Sequence, residues 1–135
     1  MMSQQEPAIP SPLIVVVDDD AAVRGSLKFA LEIEGFVVRT YPKGDDLLDD
    51  ARRADCACFI IDLKLPGMNG LEVVAELRKE RIAAPVILIT SHPTSVLLQR
   101  AAQAGVPIVE KPLLGNALID KIRLLVAQRP SPRNA

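Results

Sequence analysis

Five short apolar runs recur along this chain, and each is followed by a stretch with helical spacing. Leu13-Ile14-Val15-Val16-Val17 is apolar without a break, the pattern of a strand covered on both faces. From about Asp20 the period changes. Val23, Leu27, Ala30 and Leu31 fall on one helical stripe, and Gly35 suits the left-handed residue that ends many helices. Val37 to Tyr41 reads as a second strand, shorter and more polar, as at a sheet edge. The pattern then predicts a helix over 44–53, a strand over 57–61, a helix over 69–81 and a strand over 85–90. A helix over 94–104, a strand over 107–110 and a helix over 114–128 complete the series. The last helix puts Leu118, Ile122, Leu125 and Val126 on its inner face.

Strands alternating with helices, joined by short connections, predict an open parallel α/β sheet with helices on both faces. The expected fold is flavodoxin-like: (βα)5, with strand order 2-1-3-4-5. Residues 1–12 are expected to be a flexible N-terminal segment, 13–128 the domain, and 129–135 (RPSPRNA) a tail or linker stub. In such sheets, chemistry collects at the carboxyl ends of the strands where the order reverses, here between strands one and three. "VVVDDD" ends the first strand and "FIID" ends the third. That order brings Asp18, Asp19 and Asp62 to one crevice.

Three carboxylates so close raise one another's pKa and strain the fold unless a cation compensates. Mg2+ suits the set, because it takes oxygen ligands and keeps several waters. A loop carbonyl after Asp62, from Lys64, would complete it. Thr90 ends the fourth strand with a hydroxyl. Lys111 follows the fifth strand and precedes Pro112, where an X-Pro bond tolerates cis cheaply. Pro66-Gly67 and Gly70 shape the loop after Asp62. Together these groups suit a phosphoryl group, with Asp62 as nucleophile and Lys111 and Thr90 on the remaining oxygens. A triple Asp before a helix also suits an N-cap, a reading that fits Asp20 better than Asp18 or Asp19.

Composition narrows the rest. A chain of 135 residues suits one domain with a real core, and a formal net charge of −1 draws in neither nucleic acid nor a membrane surface. No apolar run reaches the length of a membrane span, and the polar, proline-bearing start lacks a signal-peptide pattern, so cytoplasm is the expectation. Cys56 and Cys58 stand too close to staple a fold and are read as small buried thiols, with a redox role as the other reading.

The stretches "VVVDDDAAVR", "IIDLKLPGMNGLEV", "ILITSHP" and "VEKPL", in that order, resemble the response-regulator receiver domain of two-component signalling. The match covers about residues 13–128. The resemblance implies that Asp62 is the phosphoacceptor and that Mg2+, with Mn2+ as a substitute, is held by Asp19, Asp62 and the Lys64 carbonyl, with Asp18 acting through water. It implies Thr90 as the switch hydroxyl and Lys111 as the lysine that bonds the acceptor and then the phosphoryl group. The partner it implies is a histidine kinase or histidine phosphotransfer protein. Output would pass through a helix 4, strand 5 and helix 5 face, also a candidate homodimer surface. "AVRGSLKFALEIEGFVVRTY" resembles the subfamily often joined to a helix-turn-helix output. The chain is read as a stand-alone receiver or as one cut from a longer regulator.

One position departs from the family pattern. Ile108 stands where the family usually has Tyr or Phe, and a branched aliphatic side chain cannot make the same rotation or offer a phenol. Lys64 and His92 lie two residues past the acceptor and the switch hydroxyl. They are read either as solvated loop residues or as groups that tune attack by water on the phosphoryl group. Leu97, Leu98 and Ile108 are read as core, with an exposed partner face as the other reading. The competing functions are a phosphorylation-independent interaction module and an aspartyl-nucleophile phosphatase. The second lacks its acid two residues after Asp62, where Lys64 stands, and is kept open only by Asp20 two residues after Asp18. A flavin or nucleotide site is weaker, since the first loop is acidic where a phosphate cradle needs glycines.

Overall fold

A computed structural model describes residues 11–113 and 115–128. Five parallel strands form one sheet in the order β2-β1-β3-β4-β5. They are β1 (Leu13–Val17), β2 (Val37–Tyr41), β3 (Cys58–Asp62), β4 (Val86–Thr90) and β5 (Ile108–Glu110). The helices are α1 (Ala21–Ile33), α2 (Gly44–Leu48), α3 (Gly70–Lys79), α4 (Ser95–Gln103) and α5 (Ala117–Gln128).

The unbroken apolar strands bury both faces, as β1, β3 and β4 must at the centre of the sheet. Alternate residues then feed two cores. Val15, Val17, Phe59, Ile61 and Leu88 meet Leu47 of α2 and Val73 and Leu77 of α3. Ile14, Val16, Ile60 and Ile87 meet Leu27 and Leu31 of α1 and Leu118 and Ile122 of α5. The two cysteines are buried as expected and belong to opposite layers. Burial, with the neighbouring Cys56, pushes the Cys58 thiol up to about 12.

Helix boundaries follow their caps. Asp20 accepts from the amides of Ala22 and Val23 and starts α1. Asn69 and Glu72 form a reciprocal capping box that starts α3. Thr94 accepts from Leu97 N–H and starts α4. Expected helical positions 69, 94 and 104 are therefore caps. Arg81, at φ 62°, takes the left-handed turn beyond α3. Leu114, expected to begin the last helix, lies outside the described residues.

The expected single helix over 44–53 is broken. α2 stops at Leu48, and a 3-10 turn follows over Ala51–Asp55. Asp50 is the cause. Its carboxylate accepts from Arg52 N–H at 2.8 Å, from Arg39 Nη1 at 2.7 Å and from the Tyr41 hydroxyl. A residue committed to β2 and to capping the next turn cannot continue a helix. Its hydrogen bond from Tyr41, and then that from Arg52 N–H, hold the Asp50 carboxyl below its ordinary value of 3.8. A depressed folded-state pKa contributes stability above the ordinary value and loses it as pH falls through the folded one. Asp50→Asn is therefore expected to lower the melting temperature at pH 7 and to narrow the gap between melts at pH 7 and pH 3. An unchanged gap would show that the carboxylate contributes nothing to acid sensitivity.

Candidate functional site

The parallel pairing of β1 with β3 sets Val17 beside Ile61, so the chain leaves both strands at the same edge. Asp18 follows β1 and Asp62 is the last residue of β3. Carboxylate oxygens of Asp18, Asp19 and Asp62 all lie within 4.8 Å of one another. Asp18 is fully buried, Asp62 nearly so, and Asp19 exposed.

Asp18 is held on every side. Its N–H donates to Tyr41 O at 3.1 Å, and its carbonyl accepts from Arg24 Nη1 at 2.7 Å. Its Oδ1 accepts from Asp20 N–H at 2.9 Å. Its Oδ2 lies 2.9 Å from Lys111 Nζ, an ion pair whose angles fall short of a directed hydrogen bond, which leaves this buried oxygen without one.

Asp62 accepts from Lys64 N–H at 3.1 Å on Oδ1 and from Lys111 Nζ at 3.1 Å on Oδ2. Burial raises its pKa first, and the Asp18 charge raises it further. Lys111 and the Lys64 amide oppose this only in part. Burial alone would lower the Lys111 ammonium, but its contacts with Asp18 and Asp62 outweigh this and hold it raised. One ammonium thus pairs with two buried carboxylates while a third lies within 4.8 Å of both, and Asp18 Oδ2 has no directed hydrogen bond. A hard divalent cation with oxygen ligands fits that donor set.

Thr90 ends β4, buried, and its Oγ1 accepts from His92 N–H at 3.4 Å. Its carbonyl accepts from Lys111 N–H at 2.8 Å, which ties the ends of β4 and β5 together. Lys111-Pro112 is cis. His92 and Lys64 are both exposed. His92 lines an open groove of about 840 Å³, with Val23 and Ser26 of α1 on one side and Lys111 and Pro112 on the other. Ile108 is half-buried against the α3 and α4 core and lines a shallow groove of about 390 Å³ with Leu98 and Pro107. Leu97 also packs on that core. Leu98, read as core, is instead 46% exposed, because α4 turns that side away from the sheet.

The structure thus brings Asp18, Asp19, Asp62 and Lys111 together and sets Thr90 at the end of the neighbouring strand. Asp20 is a cap. Arg24 was not singled out by the sequence. The signal available was a lone arginine one turn into α1, directly after the acidic loop.

This arrangement defines a class. The family model described as the response regulator receiver domain matches residues 14–123, and the chain belongs to that family. The chain is 37% identical over 108 residues to the C4-dicarboxylate transport transcriptional regulatory protein DctR of Rhodobacter capsulatus, covering 78% of this chain and 55% of that protein. It is 31% identical over 116 residues to the transcriptional regulatory protein FixJ of Bradyrhizobium diazoefficiens, covering 85% of this chain and 57% of FixJ. The chain therefore spans little more than half the length of these relatives. Among solved structures, the signal receiver domain of a putative Luxo repressor protein from Vibrio parahaemolyticus superposes with a TM-score of 0.81. Its identity is 25%, over 88% of this chain and 92% of that one. The FixJ-N crystal structure gives 0.79 at 27% identity, over 91% and 99%. Receiver domains act as signalling switches, and phosphorylation on aspartate is general to them. Among the described residues no helix is long and apolar enough to cross a membrane.

Proposed function

We propose that Asp62 accepts a phosphoryl group from a phosphohistidine on a histidine kinase or phosphotransfer protein. The observation that carries this is the meeting of three carboxylates with one ammonium at the carboxyl ends of parallel strands. An Asp62 carboxylate oxygen forms the new O–P bond, the P–N bond of the donor breaks, and the imidazole leaves with the electron pair. Asp19, Asp62 and the Lys64 carbonyl would hold Mg2+, with Asp18 acting through water. The ion supplies charge neutralisation to the phosphoryl oxygens. Lys111 pairs with the acceptor before transfer and with a phosphoryl oxygen after it. Thr90 donates its hydroxyl to another.

The switch then biases contacts at the β4–α4 loop and at the face of α4, β5 and α5. Ile108 gives that face no rotating ring, so the Thr90 loop and α4 carry the change. Lys64 and His92 tune access of water to the acyl phosphate. The protein works in the cytoplasm through protein contacts, without binding nucleic acid through these residues. A second copy is a candidate partner at the α4 and β5 face.

Incubation with acetyl phosphate and Mg2+, followed by intact-mass analysis, tests the reading. One added phosphoryl group is expected, absent in Asp62→Asn and absent without metal. No addition and no metal binding in the wild-type protein would sink the site. Metal binding without addition would favour a receiver that takes the phosphoryl group only from its protein partner, or one that works without phosphorylation.

A further inference from the structure

We infer that Arg24 is a positioning residue that sets how tightly the acidic pocket holds a divalent cation. This rests on the metal-binding reading of the pocket given above. Among the described residues Arg24 makes no ion pair with a carboxylate of the cluster; its Nη1 donates to the Asp18 carbonyl at 2.7 Å, the short distance of a charge-assisted bond. That carbonyl belongs to the peptide unit joining Asp18 to Asp19, which is planar and rigid. Fixing its oxygen fixes the plane from which the Asp19 Cα departs. The other end of Asp18 is fixed by the N–H bond to Tyr41 O at 3.1 Å.

Asp19 needs this help. Its side chain is exposed, and among the described residues no hydrogen bond reaches its carboxylate. Asp18 and Asp62, by contrast, are each oriented by a backbone N–H and by Lys111. The position of Asp19 is therefore inherited from its backbone, and Arg24 holds that backbone from α1. The bond comes from Nη1 of a planar guanidinium, a rigid donor that a flexible lysine ammonium reproduces only in part.

The sign of the effect separates positioning from charge. Arg24 is a cation beside a cation site, so removing it for charge reasons alone would tighten metal binding. Removing a positioning group loosens it, and losing a group that orients a metal ligand costs about 10- to 100-fold in metal affinity. Isothermal titration with Mg2+ on the wild-type protein, Arg24→Met and Arg24→Lys is the test, at a temperature where melts show all three folded. Arg24→Met is expected to weaken Mg2+ about tenfold and to raise the half-saturating Mg2+ for phosphoryl uptake in parallel. Arg24→Lys is expected to recover part of both and, keeping the charge, serves if the Met variant does not fold. Equal or tighter Mg2+ binding in the variants would overturn the role of Arg24 alone. No Mg2+ binding in the wild-type protein would overturn it together with the pocket reading.

Discussion

Lys111→Met is expected to cost the fold about 3 kcal/mol in metal-free buffer and to recover much of it in millimolar Mg2+. The ammonium lies 2.9 Å from Asp18 Oδ2 and 3.1 Å from Asp62 Oδ2. Its side chain is 18% exposed, while those of the two acids are 0% and 7% exposed. Removing one partner of a buried ion pair leaves the other charge uncompensated, a loss of roughly 3–5 kcal/mol in well-buried cases. The partial exposure of Lys111 places the expected loss at the low end. A divalent cation at the same carboxylates replaces the missing charge. The rise in melting temperature on adding Mg2+ should therefore be larger in Lys111→Met than in the wild-type protein. Thermal melts with and without Mg2+, beside Asp62→Asn, decide it. Asp62→Asn removes a carboxylate that burial and Asp18 both oppose, so it should melt higher in metal-free buffer and respond less to Mg2+. Equal Mg2+ responses in all three proteins would show that the ion does not bind at these carboxylates.

The central strands were the most legible part of the chain, because burial on both faces leaves an unbroken apolar run that no surface helix would carry. β1 and β2 have the bounds read from sequence. β3 differs by one residue at each end, because Asp62 continues the pairing and sits opposite Ile89 of β4. The acidic pocket was legible for a related reason, since an acid that interrupts such a run marks a strand end and topology does the rest. What escaped depends on partners distant in sequence. The break after α2 needs Asp50 to meet Arg39 and Tyr41 across β2, a contact that no local period encodes. Arg24 looked like one more polar residue on a helix, because its partner is a backbone carbonyl and leaves no mark in the side-chain pattern. Leu98 had the right residue type for the core, but on α4 the core contacts go to Ala101 and Leu97.

Two glycine-to-alanine substitutions should move stability in opposite directions. At Gly70, the first residue of α3, an added Cβ would lie 2.7 Å from Asp62 O and 2.9 Å from Leu63 Cα. Both are backbone atoms, and Leu88 Cδ2 closes the third side at 3.0 Å. The Gly70 N–H also donates to Leu63 O at 2.9 Å, so the start of α3 cannot move away without breaking that bond. Overpacking of this kind costs about 1–3 kcal/mol and more where backbone must shift, and Gly70→Ala belongs at the upper end. The atom pushed hardest is the carbonyl of Asp62 itself, so phosphoryl uptake should fall even at temperatures where the variant stays folded. Gly25, inside α1, meets nothing within 4 Å of an added Cβ. There a methyl group reduces the freedom of the unfolded chain and favours the helix, so Gly25→Ala should stabilise by up to about 1 kcal/mol. Chemical denaturation of both variants, with uptake from acetyl phosphate measured on the folded proteins, tests the pair. A Gly70→Ala protein with wild-type stability and uptake would show that α3 does not hold the phosphoacceptor strand in place.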